Sequence, residues 1–196
     1  MKVGILAVQG AFIEHEIILK KLGADCVEIR QKEQLSDIDG IILPGGESTV
    51  QGQLLKKLEL LDPLTEMIKN GLPVLATCAG LILLSEKIEN DRKTHIGTLP
   101  VVVKRNAYGR QLSSFIIDAE IEGIGKFPMV FIRAPYIESV SDDVQILSTV
   151  DHHIVAVRYQ NQIGLSFHPE LTSDIRIHEY FLELVKESKE ELILMR

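Results

Sequence analysis

The sequence predicts an α/β fold, a three-layer sandwich whose mixed, largely parallel central sheet carries helices on both faces. Three observations predict it. Apolar strands alternate with helical segments through the first half of the chain, the pattern of a parallel sheet wrapped by its crossovers. The second half is a succession of strand-like runs with little helix between them, which extends the sheet with antiparallel or mixed strands. The chain has 196 residues, suited to a single domain over residues 1–196, and no linker, internal repeat or low-complexity tract divides it.

The elements follow in order. Residues 3–8 are an apolar run of strand length, closed by Gly10. Ala11, Phe12, His15, Leu19 and Leu22 then share one helical face, and Gly23 stops that helix. Residues 26–30 read as a second strand and residues 40–44 as a third, ending in Gly45-Gly46. Ser48 is placed to cap a helix running through residues 54–61. A further helix spans 63–70 and ends at Gly71. Residues 72–77 form a fourth strand, and the helix after Cys78 runs to about Lys87. The later strand-like runs are 99–104, 113–120, 129–133, 144–150, 154–159 and 162–167. Helix returns over 173–186, with Ile177, Tyr180, Phe181, Leu184 and Val185 on its buried face. The last residues mix charge with Leu192-Ile193-Leu194-Met195, a segment suited to fraying or to docking on a partner. In such a sheet Gln9-Gly10, Gly45-Gly46 and Cys78-Ala79 lie together at the strands' carboxyl ends, where open α/β sheets bind ligands.

Composition narrows the function classes. The chain is 45% hydrophobic and 25% charged, the balance of a soluble globular protein. Its net charge of −7, without a basic stripe interleaved with aromatics, argues against nucleic acid as a partner. The two cysteines, Cys26 and Cys78, are too few for a disulfide scaffold and point to a reducing cytoplasm. The apolar run after Met1 is shorter than a signal-peptide core and far shorter than a membrane span. The expectation is a cytoplasmic protein with neither membrane nor nucleic-acid partners.

One position organises the chemistry. Pro73-Val74-Leu75-Ala76-Thr77-Cys78-Ala79-Gly80-Leu81 leads an apolar strand into a thiol, then small residues, then helix. A strand-to-helix elbow around a nucleophile reads this way. Small neighbours are needed because the backbone there is strained and other chain passes close by. The turn also sets the thiol at a helix N-terminus, whose partial positive charge favours an anion. A cysteine nucleophile needs a base, and the base needs an orienting group. Among the six histidines His168 is the candidate. Ser166-Phe167-His168-Pro169-Glu170 closes a strand that Pro169 cannot continue, and residues two apart leave an extended chain on the same side. Leu43-Pro44-Gly45-Gly46-Glu47-Ser48-Thr49 supplies a third part, since paired glycines after a strand let backbone N–H groups point into a pocket. Donors aimed at a developing oxyanion are worth about 3–4 kcal/mol each. The candidates are the N–H groups of Gly46 and Ala79. The loop lacks the Gly-Lys-Ser/Thr ending of a phosphate loop.

In this order and spacing, Pro44-Gly45-Gly46, the cysteine elbow and Phe167-His168-Pro169-Glu170 resemble a class I, or triad, glutamine amidotransferase. Four further segments narrow the resemblance to the glutaminase subunits of pyridoxal 5′-phosphate synthases. They are Gly4-Ile5-Leu6-Ala7-Val8-Gln9-Gly10-Ala11-Phe12, Gly45-Gly46-Glu47-Ser48-Thr49, Arg105-Asn106-Ala107-Tyr108-Gly109-Arg110-Gln111 and Phe131-Ile132-Arg133-Ala134-Pro135. The likeness spans nearly the whole chain. It implies the class I amidotransferase architecture with a flavodoxin-like core. It implies that Cys78 attacks the side-chain amide of L-glutamine, that His168 serves as base and then as acid to the leaving ammonia, and that Glu170 orients His168. Water then hydrolyses the glutamyl thioester. It implies glutamine contacts at Gly46, Glu47, Ser48, Arg105, Ile132 and Arg133, and neither cofactor nor metal. It also implies a synthase subunit as partner, which takes the ammonia and completes the oxyanion hole around Gly45-Gly46, so that the isolated chain is weakly active. One departure stands out: Ala76 occupies a position, two before the nucleophile, where members of the resembled family usually carry glycine.

Other readings of the same residues are a glutaminase serving another synthase, such as imidazole glycerol phosphate synthase, a non-catalytic redox sensor acting through Cys78, and a cysteine peptidase or amidase. Cys26 reads as a structural thiol, and His152-His153 as a polar turn before a strand. His15 and His178 fall on helices, as surface or satisfied packing residues. Alone, Glu170 would pass for a carboxylate at a helix start.

Overall fold

The structure, a computed structural model, describes residues 1–105 and 114–194. The stretch Asn106-Ala107-Tyr108-Gly109-Arg110-Gln111, the first residue of the strand expected at 113–120, and Met195 lie outside the described residues. The chain begins with β1 (Lys2–Leu6), α1 (Phe12–Lys21), β2 (Asp25–Ile29) and β3 (Gly40–Leu43). Then come α2 (Ser48–Lys57), α3 (Leu61–Lys69), β4 (Val74–Thr77) and α4 (Ala79–Leu84). The second half holds β5 (Ser85–Ile88), β6 (Leu99–Lys104), β7 (Ser114–Ile121), β8 (Gly125–Ile132) and β9 (Tyr136–Val140). It closes with β10 (Gln145–Val150), β11 (His153–Tyr159), β12 (Gln162–Leu165) and α5 (Arg176–Leu194).

The main sheet runs β2-β1-β3-β4-β12-β11-β9-β6-β5, with β10 paired to β11. Its first five strands are mutually parallel, and antiparallel pairs begin where β12 meets β11. Those five have the order of a flavodoxin-like core, with β12 as the fifth strand. Alternation along the strands feeds both faces. Ile41, Leu43, Val74 and Ala76 join a core with Leu55 and Leu64, under α2 and α3. Ile42, Leu75, Ile163 and Leu165 join the opposite core with Leu19, Phe181 and Val185, under α1 and α5. The hairpin β7–β8 forms a sheet of its own rather than extending the main one, and Phe127 and Phe131 tie it to the second core.

The expected strands and helices recur, but three helices differ in their caps or ends, α2 spanning Ser48–Lys57 rather than 54–61. The cap of α2 is Glu47 and not Ser48, because the Glu47 carboxylate accepts from the N–H groups of Thr49 and Val50. The helix after Cys78 ends at Leu84 rather than near Lys87. Ser85 turns extended there, its hydroxyl donates to the Ile82 carbonyl, and the chain leaves to pair β5 with β6. The C-terminal helix continues to Leu194, beyond the expected residue 186. Two strands, β5 and β9, were not expected at all. Both carry charged or hydroxyl residues in a short span, so no apolar run marks them. Among the described residues, no helix is long and apolar enough to cross a membrane.

Candidate active site

Cys78 sits on the turn between β4 and α4 with φ +48° and ψ −100°, a conformation costly for any residue with a Cβ. Its backbone N–H donates to the Leu165 carbonyl at 2.8 Å, which anchors the strained turn to β12. The close approach expected at this elbow is real. A Cβ on Gly80 would lie 1.9 Å from the Leu43 carbonyl oxygen, so only glycine lets α4 settle on β3. Ala76, where the family pattern has glycine, is fully buried, and its register partner on β12 is itself a glycine, Gly164.

The parallel pairing of β4 with β12, Thr77 opposite Leu165, brings the two ends of the chain's chemistry side by side. Beyond β12 the chain reaches His168, whose N–H donates to the Val130 carbonyl at 2.8 Å. His168 Nδ1 lies 2.7 Å from Glu170 Oε1, the relation expected from their spacing. Burial opposes a charge on His168, but its interactions with the neighbouring Cys78 and Glu170 side chains outweigh it and push its pKa up to about 10. Burial likewise opposes ionisation of Glu170. The His15 and His168 rings beside it prevail and hold its carboxyl below the ordinary range.

The glycine loop closes over this group. The imidazole of His168 lies against Gly45, where a Cβ would fall 2.3 Å from its Cε1 atom. The Gly45 N–H donates to the Thr77 hydroxyl and its carbonyl accepts from the Ala11 N–H, each at 3.0 Å. The Gly45–Gly46 peptide is thereby fixed with its carbonyl toward the β1–α1 loop. Ala79 opens α4, so its N–H lacks a partner within the helix. Gln9 accepts the Glu47 N–H through Oε1 at 2.8 Å, and Gln51 donates from Nε2 to the carbonyls of Gln9 and Pro44. The loops after β1, β3 and β4 thus meet as the parallel sheet requires.

Together they line a cavity of about 530 Å³. Cys78, His168, Gly46, Ala79, Glu47, Ser48, Arg105, Ile132 and Arg133 all face it, and Glu170 lies behind His168. Arg133 follows β8 with φ +42°, a second strained backbone at the rim. Arg105 pairs with Asp91 at 3.3 Å. The Glu47 carboxylate lines the cavity while committed to capping α2, and the backbone N–H groups it accepts hold it below the ordinary range against its partial burial. Gln9, expected at this edge, braces the glycine loop, and three contributors escaped the sequence reading: Gln51, which also braces that loop, Thr77, which joins it to the elbow, and His15. Thr77 adjoins Cys78 and Gln51 follows the glycine pair, so proximity to a motif was the available signal.

Two other expectations concern residues outside the cavity. His152-His153 is a polar turn leading into β11, with Asp151 and His152 at positive φ. Cys26 is half-buried on β2, where desolvation, then nearby Glu16, push its thiol up to about 11.

Residues 5–187 match the model of the SNO glutamine amidotransferase family. The chain belongs to that family. Within it, the chain is 61% identical over 190 residues, covering 96% of each chain, to the pyridoxal 5′-phosphate synthase subunit PdxT of Desulfitobacterium hafniense strain DSM 10664 / DCB-2. It is 53% identical over 194 residues, 97% of this chain and 100% of the relative, to PdxT of Streptococcus pneumoniae strain CGSP14. A crystal structure of a glutamine amidotransferase superposes with a TM-score of 0.90 at 43% identity, covering 94% of this chain and 98% of that one. PurLQS from Thermotoga maritima superposes at 0.67 with 17% identity over 98% of each chain, a likeness of fold alone. The glutamine amidotransferase architecture expected from the sequence is therefore present, mixed sheet and flanking helices included.

Proposed function

We propose that this chain is the glutaminase subunit of a pyridoxal 5′-phosphate synthase. It acts as one domain in the cytoplasm, hydrolysing L-glutamine and passing the ammonia to a synthase subunit. The observation that carries the reading is the convergence of Cys78, His168 and the Gly45-Gly46 loop on one cavity, in a chain whose relatives at 53% and 61% identity are PdxT subunits. Those relatives favour this synthase over imidazole glycerol phosphate synthase.

The chemistry follows from the geometry. The Cys78 sulfur attacks the side-chain amide carbon of glutamine, and its proton resides on His168. The Gly46 and Ala79 N–H groups stabilise the oxyanion. Collapse breaks the C–N bond, and His168 gives its proton to the departing nitrogen, releasing ammonia. Water, deprotonated by His168, then attacks the thioester, the C–S bond breaks, and glutamate leaves. Glu170 stabilises the imidazolium in both halves. Arg105 and Arg133 suit the substrate's α-carboxylate, with Glu47, Ser48 and Ile132 completing its surroundings. Ile132 and Leu171 line the cavity yet stay 38% and 44% exposed, an apolar rim for a partner to cover. The test measures glutamate release with and without the synthase, and ammonia-dependent product with it. Substantial stimulation by the synthase is expected. Equal turnover with and without it would remove the partner from the mechanism, and no hydrolysis under either condition would end the glutaminase reading.

A further inference from the structure

Behind the triad lies a second line of buried groups that the reaction as described does not use. His15 on α1 and His178 on α5 are both completely buried, and their rings meet between the two helices. His15 Nδ1 lies 2.9 Å from His178 Nε2. On its other side His15 Nε2 lies 3.4 Å from Glu170 Oε2 and 3.4 Å from the Thr77 hydroxyl. Glu170 Oε2 is buried without a hydrogen-bond partner, its approach to His15 being a distance of 3.4 Å, while Oε1 is taken by His168. The charged and titratable groups facing His15 are Glu170 and His168 from beyond β12, His178 from α5 and Glu14 from its own helix.

Proton counting decides how the line is wired. Only one proton fits between His15 Nδ1 and His178 Nε2. Were it on His15, its bare Nε2 would face the Glu170 carboxylate with only the Thr77 hydroxyl as a donor, and His178 would bury an unpaired Nδ1–H donor, since no partner faces that atom. Were it on His178, His15 carries its proton on Nε2, with the Thr77 hydroxyl and Oε2 each 3.4 Å away, and the atom left unpaired is only an acceptor. Burial keeps both rings neutral. It dominates at His15 despite the carboxylate beside it, and at His178 it lowers the pKa to about 3, helped by His15.

We propose that His15, with His178 behind it, is a positioning residue for Glu170. His15 Nε2–H holds the carboxylate oxygen that His168 leaves free, and His178 fixes the tautomer that puts the proton there. A neutral donor suits the place. It orients the carboxylate without a second cation to compete with the His168 imidazolium. No proton travels along the line.

The inference rests on the glutaminase reading only for its kinetic arm. In the complex with the synthase, His15→Leu is expected to lower kcat for glutamine hydrolysis on the order of tenfold or more, the rate equivalent of one hydrogen bond to a charged group, with KM little changed. His15→Gln, which keeps a donor near the Nε2 position, is expected to recover most of that loss. His178→Leu added to His15→Leu is expected to cost nothing further. A folded His15→Leu variant with wild-type kcat, or a His15→Gln variant as slow as His15→Leu, would overturn the proposal. ¹⁵N chemical shifts of the histidines in the unsubstituted chain provide an arm independent of variants and of turnover. Neutral Nε2–H tautomers are expected for both His15 and His178, and an Nδ1–H tautomer at His15 would refute the wiring. Failure of the unsubstituted complex to hydrolyse glutamine would strike the glutaminase reading and leave the tautomer result to judge the line.

Discussion

Cys78 carries two burdens, a backbone outside the ordinary regions and near-complete burial, the residue being 7% exposed, in the lining of the cavity. Strain of this kind costs about 1–3 kcal/mol and persists only where neighbours over-determine it. Here the bond to Leu165 and the fit of Gly80 under Leu43 do so. Two outcomes follow at this scale. Cys78→Ala and His168→Asn should each abolish glutamine hydrolysis while circular dichroism and the unfolding midpoint stay near those of the parent. Near-parental turnover in either would remove these residues from the proposed chemistry. Cys78→Gly should be at least as stable as Cys78→Ala in thermal melts, reversing the usual ranking by which glycine costs about 0.5–1 kcal/mol against alanine. The usual ranking at this position would show that the turn is not strained.

At the scale of elements, the glycine loop and the elbow are fitted to their neighbours by missing side chains. Gly45→Ala places a methyl group against the His168 ring. A displacement of this size can cost about a hundredfold in rate, so kcat should fall steeply with the melting curve almost unmoved. Gly80→Ala drives α4 from β3 and should instead destabilise by about 1–3 kcal/mol, the range for overpacking. Denaturant unfolding separates the two cases. The same contrast explains what could be read in advance. The elbow, the glycine pair and His-Pro-Glu are local strings marked by adjacent residues, so the grouping of Cys78, His168 and Glu170 was legible. The insertion of β12 beside β4 was not, because pairing between strands far apart in sequence is set by the whole layer. β5 was absorbed into the preceding helix because Glu86 and Lys87 look outward and interrupt any apolar pattern. His15 showed only helical spacing, and its meaning came from which groups face it across α5 and β4.

For the whole molecule, the buried ionisable groups shape stability against pH. His15 and His178 are neutral in the folded chain with lowered pKa values, His178 at about 3. Between the ordinary histidine value of 6.5 and those folded values the unfolded chain takes up protons that the folded chain refuses. Stability therefore falls as pH drops through that window, by at most about 1.4 kcal/mol per pH unit for each group. Glu170, held low, adds a further loss only once pH falls below the ordinary carboxylate range. His168 works in the opposite direction. Its pKa is raised to about 10, so its contribution is complete below 6.5 and disappears as pH rises from 6.5 toward 10. Melting midpoints across pH should trace a dome, with His178→Leu flattening its acid side and His168→Asn its alkaline side. Unchanged slopes in both variants would place the titration elsewhere.

The position of β12 has a consequence in time as well as in space. A ribosome adding about 5–20 residues per second delivers the Cys78 thiol seconds before the His168 imidazole proposed to activate it. Until the last strand slots between β4 and β11, the cysteine has neither its base nor the Leu165 carbonyl that steadies its backbone. The newborn chain thus holds its thiol apart from the proposed base until the sheet is complete.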